Sequence, residues 1–459
     1  MTLKKELLIY MRTKYFEEYQ DYLARLIDNN VMLGYEKPRD KDNDNVRVKT
    51  VTFQVTDTCN LACTYCYQIN KHTNRMSFET AKKFIDIMFE DYDREDSYLY
   101  HADGLVVEFI GGEPLLEIEL IEQICDYFTW KAITKKHIWA INSIFSMISN
   151  GVLYFDDKVQ NFLKKYKGRV SFGISLDGCK ELHDSCRIFP DGKPTYDIAE
   201  KACEYHKIHY DPKMLTKMTI APGNITYVFK AIKNLVENPK LKYEVIHCNC
   251  VYEKGWEQHH ATELYKQLKM VADYIIGNDL EENIYVSIFD ENVFREFNPE
   301  DDQNYCGSTG SMLACDPFGK IFPCIRFMDT SLGDKVEPWI LGDVDNGIGI
   351  LPKHKDKINI LDSITLTSQS TNECINCPIQ GGCGWCTGYN YQETGTPNKR
   401  LTYTCEMHKA RFLANVYYWQ KAHKKHGEEC DLKVDRIPKE WALNIIDEEE
   451  YNMLLELSK

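Results

Sequence analysis

The sequence predicts an α/β fold followed by a cysteine-rich C-terminal region. Six short β-rich runs alternate with amphipathic helical patterns, and the density of cysteines rises after residue 306. Strands that alternate with helices form parallel sheets with right-handed crossover connections. The alternation alone is compatible with an open doubly wound sheet and with a partial barrel, and both folds have their sites at the carboxyl ends of the strands.

The predicted strands are short apolar runs that contain β-branched and aromatic residues. They occupy residues 51–56, 106–110, 145–149, 170–176, 217–221 and 243–248. The helical patterns lie at residues 77–93, 116–135, 155–167, 195–209, 225–237 and 259–276. Ser77 is a suitable N-cap for the first of these helices. Residues 1–45 predict an amphipathic helix followed by a charged linker.

Length, charge and composition limit the class of protein. The chain has 459 residues, which corresponds to two or three domains, and it contains 18 cysteines. It lacks both an apolar run of 18 residues and a signal-peptide core, so we expect a cytoplasmic protein with no membrane partner. The formal net charge of −15 argues against a nucleic-acid partner. In a cytoplasmic chain, so many cysteines indicate metal binding or catalysis rather than disulfides.

Three cysteines directly follow the first predicted strand. Cys59, Cys63 and Cys66, called the triplet below, have C-x₃-C-x₂-C spacing. Three thiolates can hold three irons of a [4Fe–4S] cluster and leave the fourth iron open to a substrate, whereas fully ligated clusters mainly transfer electrons. The alternatives are a zinc knuckle, three unrelated thiols, or a site in a multi-cluster electron carrier. A ferredoxin-like carrier supplies a fourth cysteine nearby, and none occurs between residues 67 and 124.

Three further motifs follow the next three predicted strands. They are residues 111–114 (GGEP), 149–151 (SNG) and 175–178 (SLDG). The carboxyl ends of parallel strands meet at one edge of the sheet, so we expect these motifs to lie close to the triplet. Two glycines in the first motif allow the backbone a closer approach than a Cβ would permit.

The triplet and these motifs resemble the signature of the radical S-adenosylmethionine (SAM) superfamily. The resemblance implies a partial (β/α)₆ TIM-like barrel with catalytic Cys59, Cys63 and Cys66 holding a [4Fe–4S] cluster. The open iron of that cluster chelates SAM, which is cleaved reductively to methionine and a 5′-deoxyadenosyl radical. A flavodoxin or ferredoxin-type protein is the implied reductant. The implied SAM-binding residues are Tyr65, Tyr67, Gly111, Gly112, Glu113, Asn150, Ser175 and Arg187.

The C-terminal cysteines resemble the SPASM domain, which holds two auxiliary [4Fe–4S] clusters. The likeness assigns an outer group (Cys374, Cys377, Cys383 and Cys405) and an inner group (Cys306, Cys324 and Cys386). Two residues rather than the usual three separate Cys383 from Cys386. Cys315 could complete the inner group or could be a buried packing residue, in which case an iron is open to a substrate thiolate. Taken alone, the two C-x₂-C units also fit a zinc site.

The function implied by the resemblance is oxidative modification of a ribosomally made peptide. Auxiliary clusters accept an electron from the substrate radical, and we expect thioether crosslinks in a cysteine-rich precursor peptide. The alternatives are a carbon–carbon crosslinking maturase and an anaerobic sulfatase-maturating enzyme, which forms formylglycine. The latter enzymes usually have Asp directly after the second SPASM cysteine, where this chain has Ile325.

The predicted domain organisation has five parts. An N-terminal helical segment and linker spans 1–48, the radical SAM partial barrel 49–240, and a last strand with a bridging helical region 241–305. The SPASM domain spans 306–425, and a tail spans 426–459. Peptide maturases often have an N-terminal winged-helix domain that binds the leader peptide, and the segment before the first strand is too short for a complete one.

Overall fold

The structure is a computed structural model that describes residues 48–290, 294, 302, 304 and 306–459. The helix predicted within residues 1–45 lies outside the described residues. So does most of the segment between Asp290 and Cys306.

Six parallel strands lie within a few residues of their predicted positions. They are β1 (Val48–Gln54), β2 (Gly104–Ile110), β3 (Ser143–Ser149), β4 (Val170–Ile174), β5 (Thr216–Ile220) and β6 (Val245–Cys250). The first four lie side by side in chain order, while β5 and β6 form a second sheet with the short strand β7 (Tyr285–Val286).

Side chains rather than a backbone ladder join the two sheets. Just after β4, Asp177 Oδ1 accepts a hydrogen bond from the Thr219 N–H at 3.1 Å. The Thr216 hydroxyl donates to the Leu176 carbonyl at 3.3 Å. The six strands thus form a partial barrel, and the predicted fold class is confirmed.

Helices cover the outside of this barrel, as their alternation with the strands predicts. They are α1 (Phe78–Asp91), α2 (Ile118–Thr134), α3 (Asp157–Lys165), α4 (Lys180–Cys186), α5 (Tyr196–His209), α6 (Val228–Glu237) and α7 (Gln258–Gly277). Ser77 caps α1, since its side chain accepts from the Thr80 N–H. The short helix α4 was not predicted, because its seven residues contain Leu182 as their one large apolar side chain and show no helical periodicity.

The two faces of the barrel sheet differ in character because successive side chains on a strand alternate between faces. The helix-facing side is apolar and includes Phe53, Phe109 and Phe145, which contact one another in sequence at 5.9 and 6.2 Å between ring centroids. The opposite face of β1 and β2 carries Thr52 and Glu108, which share a hydrogen bond of 2.7 Å. The interior of the barrel, called the lumen below, therefore carries polar side chains among apolar ones such as Ile148.

The C-terminal region continues the barrel sheet beyond β1. Strand β8 (Met312–Cys315) pairs in parallel with β1, and β9 (Lys320–Phe322), β10 (Gly342–Asp343) and β11 (Gly347–Ile348) extend it antiparallel. This pairing covers the edge of β1, which would otherwise expose unpaired backbone groups.

The remaining C-terminal elements are helical. They are α8 (Asp329–Leu332), α9 (Pro352–Asp362), α10 (Leu366–Gln369), α11 (Asn372–Ile375), α12 (Thr387–Thr394), α13 (Cys405–His426), α14 (Lys439–Leu443) and α15 (Glu448–Leu457). Helix α13 packs beside α7, where the Tyr417 hydroxyl donates to Asp273 at 2.6 Å. Among the described helices, none combines the length and apolar character needed to cross a membrane.

Candidate functional site

The triplet lies in the loop between β1 and α1, at the carboxyl end of the barrel. The Cys66 N–H donates to the Cys63 carbonyl at 3.2 Å, and the Leu61 N–H donates to Cys59 Sγ at 3.4 Å. Burial raises the pKa of Cys59 to about 11, and the nearby Cys63 adds to the rise. Burial also raises the pKa of Cys63, with a further contribution from Cys66. The three thiols therefore lie close enough to influence one another's charge.

Two glycines let the end of β2 pack directly on this loop. The Gly112 N–H donates to the Thr56 carbonyl at 3.0 Å. A Cβ on Gly112 would lie 2.7 Å from the Cβ of Cys59 and even closer to the Thr58 carbonyl, and one on Gly111 would lie 2.9 Å from the Thr56 oxygen. Real Cβ atoms do not make such contacts, so both positions require glycine.

Glu113 joins the ends of β2 and β3. Its buried carboxylate accepts from the Ser149 hydroxyl at 2.7 Å, from the Asn150 N–H at 2.9 Å and from the Leu115 N–H at 3.1 Å. Burial raises the pKa of Glu113, and these donors oppose the rise. The carboxylate thus fixes the two strand exits relative to each other.

Asn150 extends this network to the triplet loop. Its side-chain amide donates to Asn60 Oδ1 at 2.7 Å, and Asn60 directly follows Cys59. Ser175 lies beside the same turn, where its N–H donates to the Ser149 carbonyl at 2.8 Å. The structure therefore brings the second and third motifs to the triplet, as the sequence predicts.

Arg187 and Asp177 form a buried ion pair at the end of β4. The Arg187 Nε–H donates to Asp177 Oδ2 at 2.7 Å, and the Tyr65 hydroxyl donates to the same oxygen. Arg187 Cζ lies 5.4 Å from the centroid of the Tyr65 ring. Burial would lower the pKa of Arg187, but Asp177 and the neighbouring Tyr65 and Cys63 raise it overall, so the guanidinium remains charged. Sequence reasoning did not predict this ion pair.

Tyr67 lies between the triplet and the C-terminal cysteines. Arg326 Cζ lies 4.5 Å from the centroid of its ring. Burial raises the pKa of Tyr67, Arg326 opposes the rise, and Cys66 and Cys324 add to it. The sequence analysis did not identify Arg326 as a site residue. Its position two residues after Cys324 could have indicated that it lies close to the inner group.

The structure brings the three cysteines of the inner group together. Burial raises the pKa of Cys324, and Cys386 and Cys306 raise it further. Cys306 Sγ lies 3.2 Å from the Thr387 hydroxyl oxygen, and the Tyr389 N–H donates to Cys386 Sγ at 3.4 Å. The shortened spacing before Cys386 thus does not remove it from the group.

The four cysteines of the outer group also lie together. Burial raises the pKa of Cys383 to about 12; Arg400 opposes the rise, and the other three thiols of the group add to it. Cys405 begins α13, and burial and Cys374 raise its pKa while Lys409 lowers it.

The structure does not place Cys315 with the inner group. On β8 it pairs with Phe53 of β1, so its side chain shares the apolar, helix-facing side of the sheet. Burial raises the pKa of Cys315 well above its usual range, and Asp316 adds to the rise without a contribution from any other cysteine. This environment fits the packing alternative.

The donor atoms of the three groups fit iron–sulfur clusters. The triplet and the inner group each consist of three cysteine thiols, and the outer group consists of four. Thiolates are the usual ligands of [4Fe–4S] clusters. Within the described part of the chain, no three His, Cys, Asp or Glu side chains converge closely enough to hold a single metal ion. The fit therefore rests on the type, number and grouping of the thiols.

Sequence comparisons identify several relatives. A family model described as a 4Fe-4S single cluster domain matches residues 46–167. An uncharacterised protein of Methanocaldococcus jannaschii is 32% identical over 190 residues, which are 41% of this chain and 59% of that protein. The radical SAM cyclopropyl synthase TigE of Paramaledivibacter caminithermalis is 22% identical over 88% of this chain and 79% of its own. A cysteine-type anaerobic sulfatase-maturating enzyme of Clostridium perfringens is 22% identical over 77% of this chain and 92% of its own.

A solved structure shares the fold. Native anSMEcpe with bound AdoMet and Cp18Cys peptide has a TM-score of 0.59 and 20% identity, over 83% of this chain and 99% of that one. The likeness extends over both the barrel and the cysteine-rich region.

Proposed function

We propose that this chain, a radical SAM enzyme of the SPASM-type peptide-maturase family, forms thioether crosslinks in a ribosomally made, cysteine-rich precursor peptide. The predicted enzyme class is confirmed, and two of the relatives named above, the cyclopropyl synthase and the sulfatase-maturating enzyme, are enzymes rather than electron carriers. The observation on which the proposal rests is the grouping of the thiols. A three-thiol group lies at the carboxyl end of the barrel, and Tyr67, which directly follows Cys66, packs at 4.5 Å against Arg326, two residues after Cys324 of a second three-thiol group.

The cofactors are SAM, one [4Fe–4S] cluster on the triplet and two auxiliary [4Fe–4S] clusters. When bound, they supply the electron that cleaves SAM and the acceptor for an electron from the substrate. We assign the outer group (Cys374, Cys377, Cys383 and Cys405) and the inner group (Cys306, Cys324 and Cys386) as the auxiliary ligands.

The chain's own residues would hold SAM at the rim of the barrel. Arg187 uses Nε to bind Asp177, and among the described residues its two terminal amino groups have no other acceptor. They match the carboxylate of SAM, because a guanidinium fork binds a carboxylate well. Ser175 and Asn150 lie beside the same turn, as potential ligands of the carboxylate and the ribose. The two adjacent glycines hold the backbone at the end of β2 directly against the triplet loop, and we assign this stretch to the amino group of SAM.

Tyr65 and Tyr67 flank the same site. Tyr65 fixes the Arg187–Asp177 pair through its hydroxyl and its ring, so it positions the guanidinium for SAM. Tyr67 is half-buried and packs against Arg326, and its backbone directly follows Cys66, where it would meet the adenine.

The lumen is the proposed place of the reacting peptide residue. Lys217 and Asn249 are exposed side chains on the lumen face of β5 and β6, and Ile148 of β3 is 48% exposed on the same face. Exposed side chains inside a barrel indicate open space rather than a packed core. Polar groups there would orient the peptide backbone while the rim presents SAM.

The atoms and electrons of a thioether crosslink balance with SAM and an electron-accepting cluster. Forming the carbon–sulfur bond removes one hydrogen atom from a carbon, one proton from the thiol and one electron. When bound, SAM would supply the deoxyadenosyl fragment that takes the hydrogen atom, a cluster held by the inner group would accept the electron, and the thiol proton would be released to solvent. With Cys315 turned to the opposite side of the sheet, the inner group offers three thiolates, which leaves a coordination position for a substrate thiolate.

Formylglycine formation is the second candidate. The similarity to a cysteine-type sulfatase-maturating enzyme over 92% of its length favours it. Ile325 counts against it, because an apolar side chain after Cys324 cannot act as the base that the family's Asp supplies. A carbon–carbon crosslink would use the same radical step without a substrate thiol.

Anaerobic coexpression with a small cysteine-rich peptide encoded beside the gene tests the proposal. After thiol alkylation, mass spectrometry should show that the peptide has lost two hydrogen atoms per crosslink and that the crosslinked cysteines resist alkylation. The matched control is the variant with Cys59, Cys63 and Cys66 changed to Ala, which should leave the peptide unchanged. If the peptide has lost hydrogen and every one of its cysteines is still alkylated, thioether formation is contradicted and a carbon–carbon crosslink is favoured.

A further inference from the structure

Arg326 connects the two three-thiol groups. It lies two residues after Cys324 and its side chain is only 16% exposed. Its guanidinium covers the ring of Tyr67, which directly follows Cys66, at 4.5 Å. On the other side it lies 5.9 Å from the ring of Tyr389, in the helix that begins after Cys386.

Packing fixes the position of Arg326 against the inner group. A Cβ on Gly388 would lie 2.5 Å from the Cβ of Arg326, so α12 packs closely on this residue only because Gly388 has no side chain. Gly388 is two residues after Cys386. Burial raises the pKa of the Cys386 thiol, and Arg326 is the first charged neighbour that opposes the rise.

A single carboxylate balances this buried cation. Arg326 Nη1 donates to Glu253 Oε1 at 2.7 Å, and the Glu253 side chain is 32% exposed. Tyr252 and Tyr67 also face the inner group, and burial raises the pKa of both, so both are uncharged at neutral pH. Among the residues that the structure describes, Arg326 is therefore the principal positive charge beside Cys386, and Glu253 weakens its field.

We propose that Arg326 sets the reduction potential of the auxiliary cluster on the inner group, and that Glu253 limits its effect. This inference rests on the proposed assignment of a cluster to Cys306, Cys324 and Cys386. Reduction adds one electron, and therefore one negative charge, to the cluster. A fixed cation beside the thiolates stabilises the reduced form and raises the potential, and a nearby carboxylate has the opposite effect. Arg326 is a positioning residue in this account and has no contact with substrate.

The cation also has a functional reason to lie here. Tyr67 separates the triplet from the inner group, and Arg326 contacts its ring while lying close to Cys386. An electron leaves the substrate in the final step of the reaction, and a higher potential at the inner group makes it a better acceptor. The outer group has different cations, Lys409 and Arg400, so the two auxiliary potentials are set independently.

Potentiometric titration of the anaerobically prepared full chain tests this inference. Arg326→Gln should shift one of the three cluster potentials to a more negative value, and Glu253→Gln should shift the same potential to a more positive value. Arg326→Lys, which keeps the charge, should shift it less than Arg326→Gln does. Lys409→Met is the matched control and should move a different potential.

The two opposite shifts separate an electrostatic role from a structural one. A purely structural role predicts that Arg326→Gln and Glu253→Gln both lower the iron content or move the potential in the same direction, and either result would overturn the inference. If Arg326→Gln loses iron, its potential cannot be compared, and Glu253→Gln becomes the deciding variant. A positive shift of the cluster potential in Glu253→Gln supports the inference, and an unchanged potential in that variant refutes it. SAM cleavage by the wild-type chain is measured in parallel, so a failure of the proposed function is recognised separately.

Discussion

The inner and outer groups of cysteines differ in what supports them. The inner thiols come from segments that flank β8 and β9, which continue the barrel sheet, and from the start of α12. Hydroxyls of Ser308 and Thr387 lie 3.4 and 3.2 Å from Cys306 Sγ. The outer thiols lie on short helical turns and at the start of α13, and their cations are Lys409 and Arg400.

This difference assigns them different tasks. The inner group is attached to the barrel and is connected to the triplet through Arg326 and Tyr67, so we propose that a cluster there would exchange an electron with the substrate. The outer group is attached to the C-terminal helices. There a cluster would mainly hold the chain segments together and pass electrons onward, because metal binding is coupled to folding.

Removing the outer group should have the largest effect. Replacing Cys374 and Cys377 with Ala should remove about four irons per chain, the content of one [4Fe–4S] cluster, and destabilise the C-terminal helices. Iron analysis and limited proteolysis check this. Wild-type iron content in the double variant would end the assignment of the outer group.

Cys386 and Cys315 provide a matched pair for the inner group. Cys386→Ala should lower the iron content by about one cluster, whereas Cys315→Ala should leave the iron content unchanged. The only expected effect of Cys315→Ala is a decrease in the free energy of unfolding, on the order of 1–2 kcal/mol, because the variant removes a small buried side chain. Equal iron loss in both variants would show that Cys315 is a ligand after all.

A change at the triplet loop should leave both auxiliary groups intact. Gly112→Ala places a Cβ against Thr58 and Cys59, so we expect overpacking that costs roughly 1–3 kcal/mol and displaces the triplet. SAM cleavage should fall strongly while the two auxiliary potentials keep their wild-type values. If the auxiliary potentials shifted as well, the three sites would not be independent.

The smallest expected effect concerns pH and the residue after Cys315. Burial raises the pKa of Asp316 from 3.8 to about 6, while backbone N–H donors from Lys320 and Phe318 oppose the rise. The folded state binds this proton more tightly, so its contribution to stability is complete below pH 3.8 and is lost as the pH rises through about 6.

Asp316→Asn keeps an acceptor for both N–H groups but cannot ionise. Between pH 5 and 7, the free energy of unfolding of the wild type should therefore fall by on the order of 1 kcal/mol relative to that of Asp316→Asn. Thermal unfolding at each pH measures this difference. Parallel pH profiles of the two proteins would contradict a buried, titrating carboxyl group at the end of β8.

Much of the barrel could be predicted because its elements have regular periodicity. All six strands and the main helices lie close to their predicted bounds, since apolar residues recur with the period of each element. The triplet and the adjacent glycines were also predictable, because their spacing in the chain is local, whereas the two C-terminal groups were predicted only through the resemblance to the SPASM domain.

The rest depends on tertiary pairing that the sequence does not display. The sequence does not distinguish Cys315 from Cys306 and Cys324 as a cluster ligand. Only the register of β8 against β1 places its side chain on the same side of the sheet as Phe53. The contact between Arg326 and Tyr67 joins residues 259 positions apart along the chain, and no local pattern predicts it. The ion pair of Asp177 with Arg187 was not predicted, because the two residues lie on either side of a helix that periodicity did not indicate.

The most direct test of the account is 5′-deoxyadenosine production from SAM under anaerobic reducing conditions. We compare the wild type with the variant in which Cys59, Cys63 and Cys66 are Ala. The account predicts that the wild type forms 5′-deoxyadenosine, and that the variant forms none while keeping about two thirds of the iron, on its two auxiliary groups. Continued formation of 5′-deoxyadenosine by the variant would contradict the assignment of the triplet as the site of SAM cleavage.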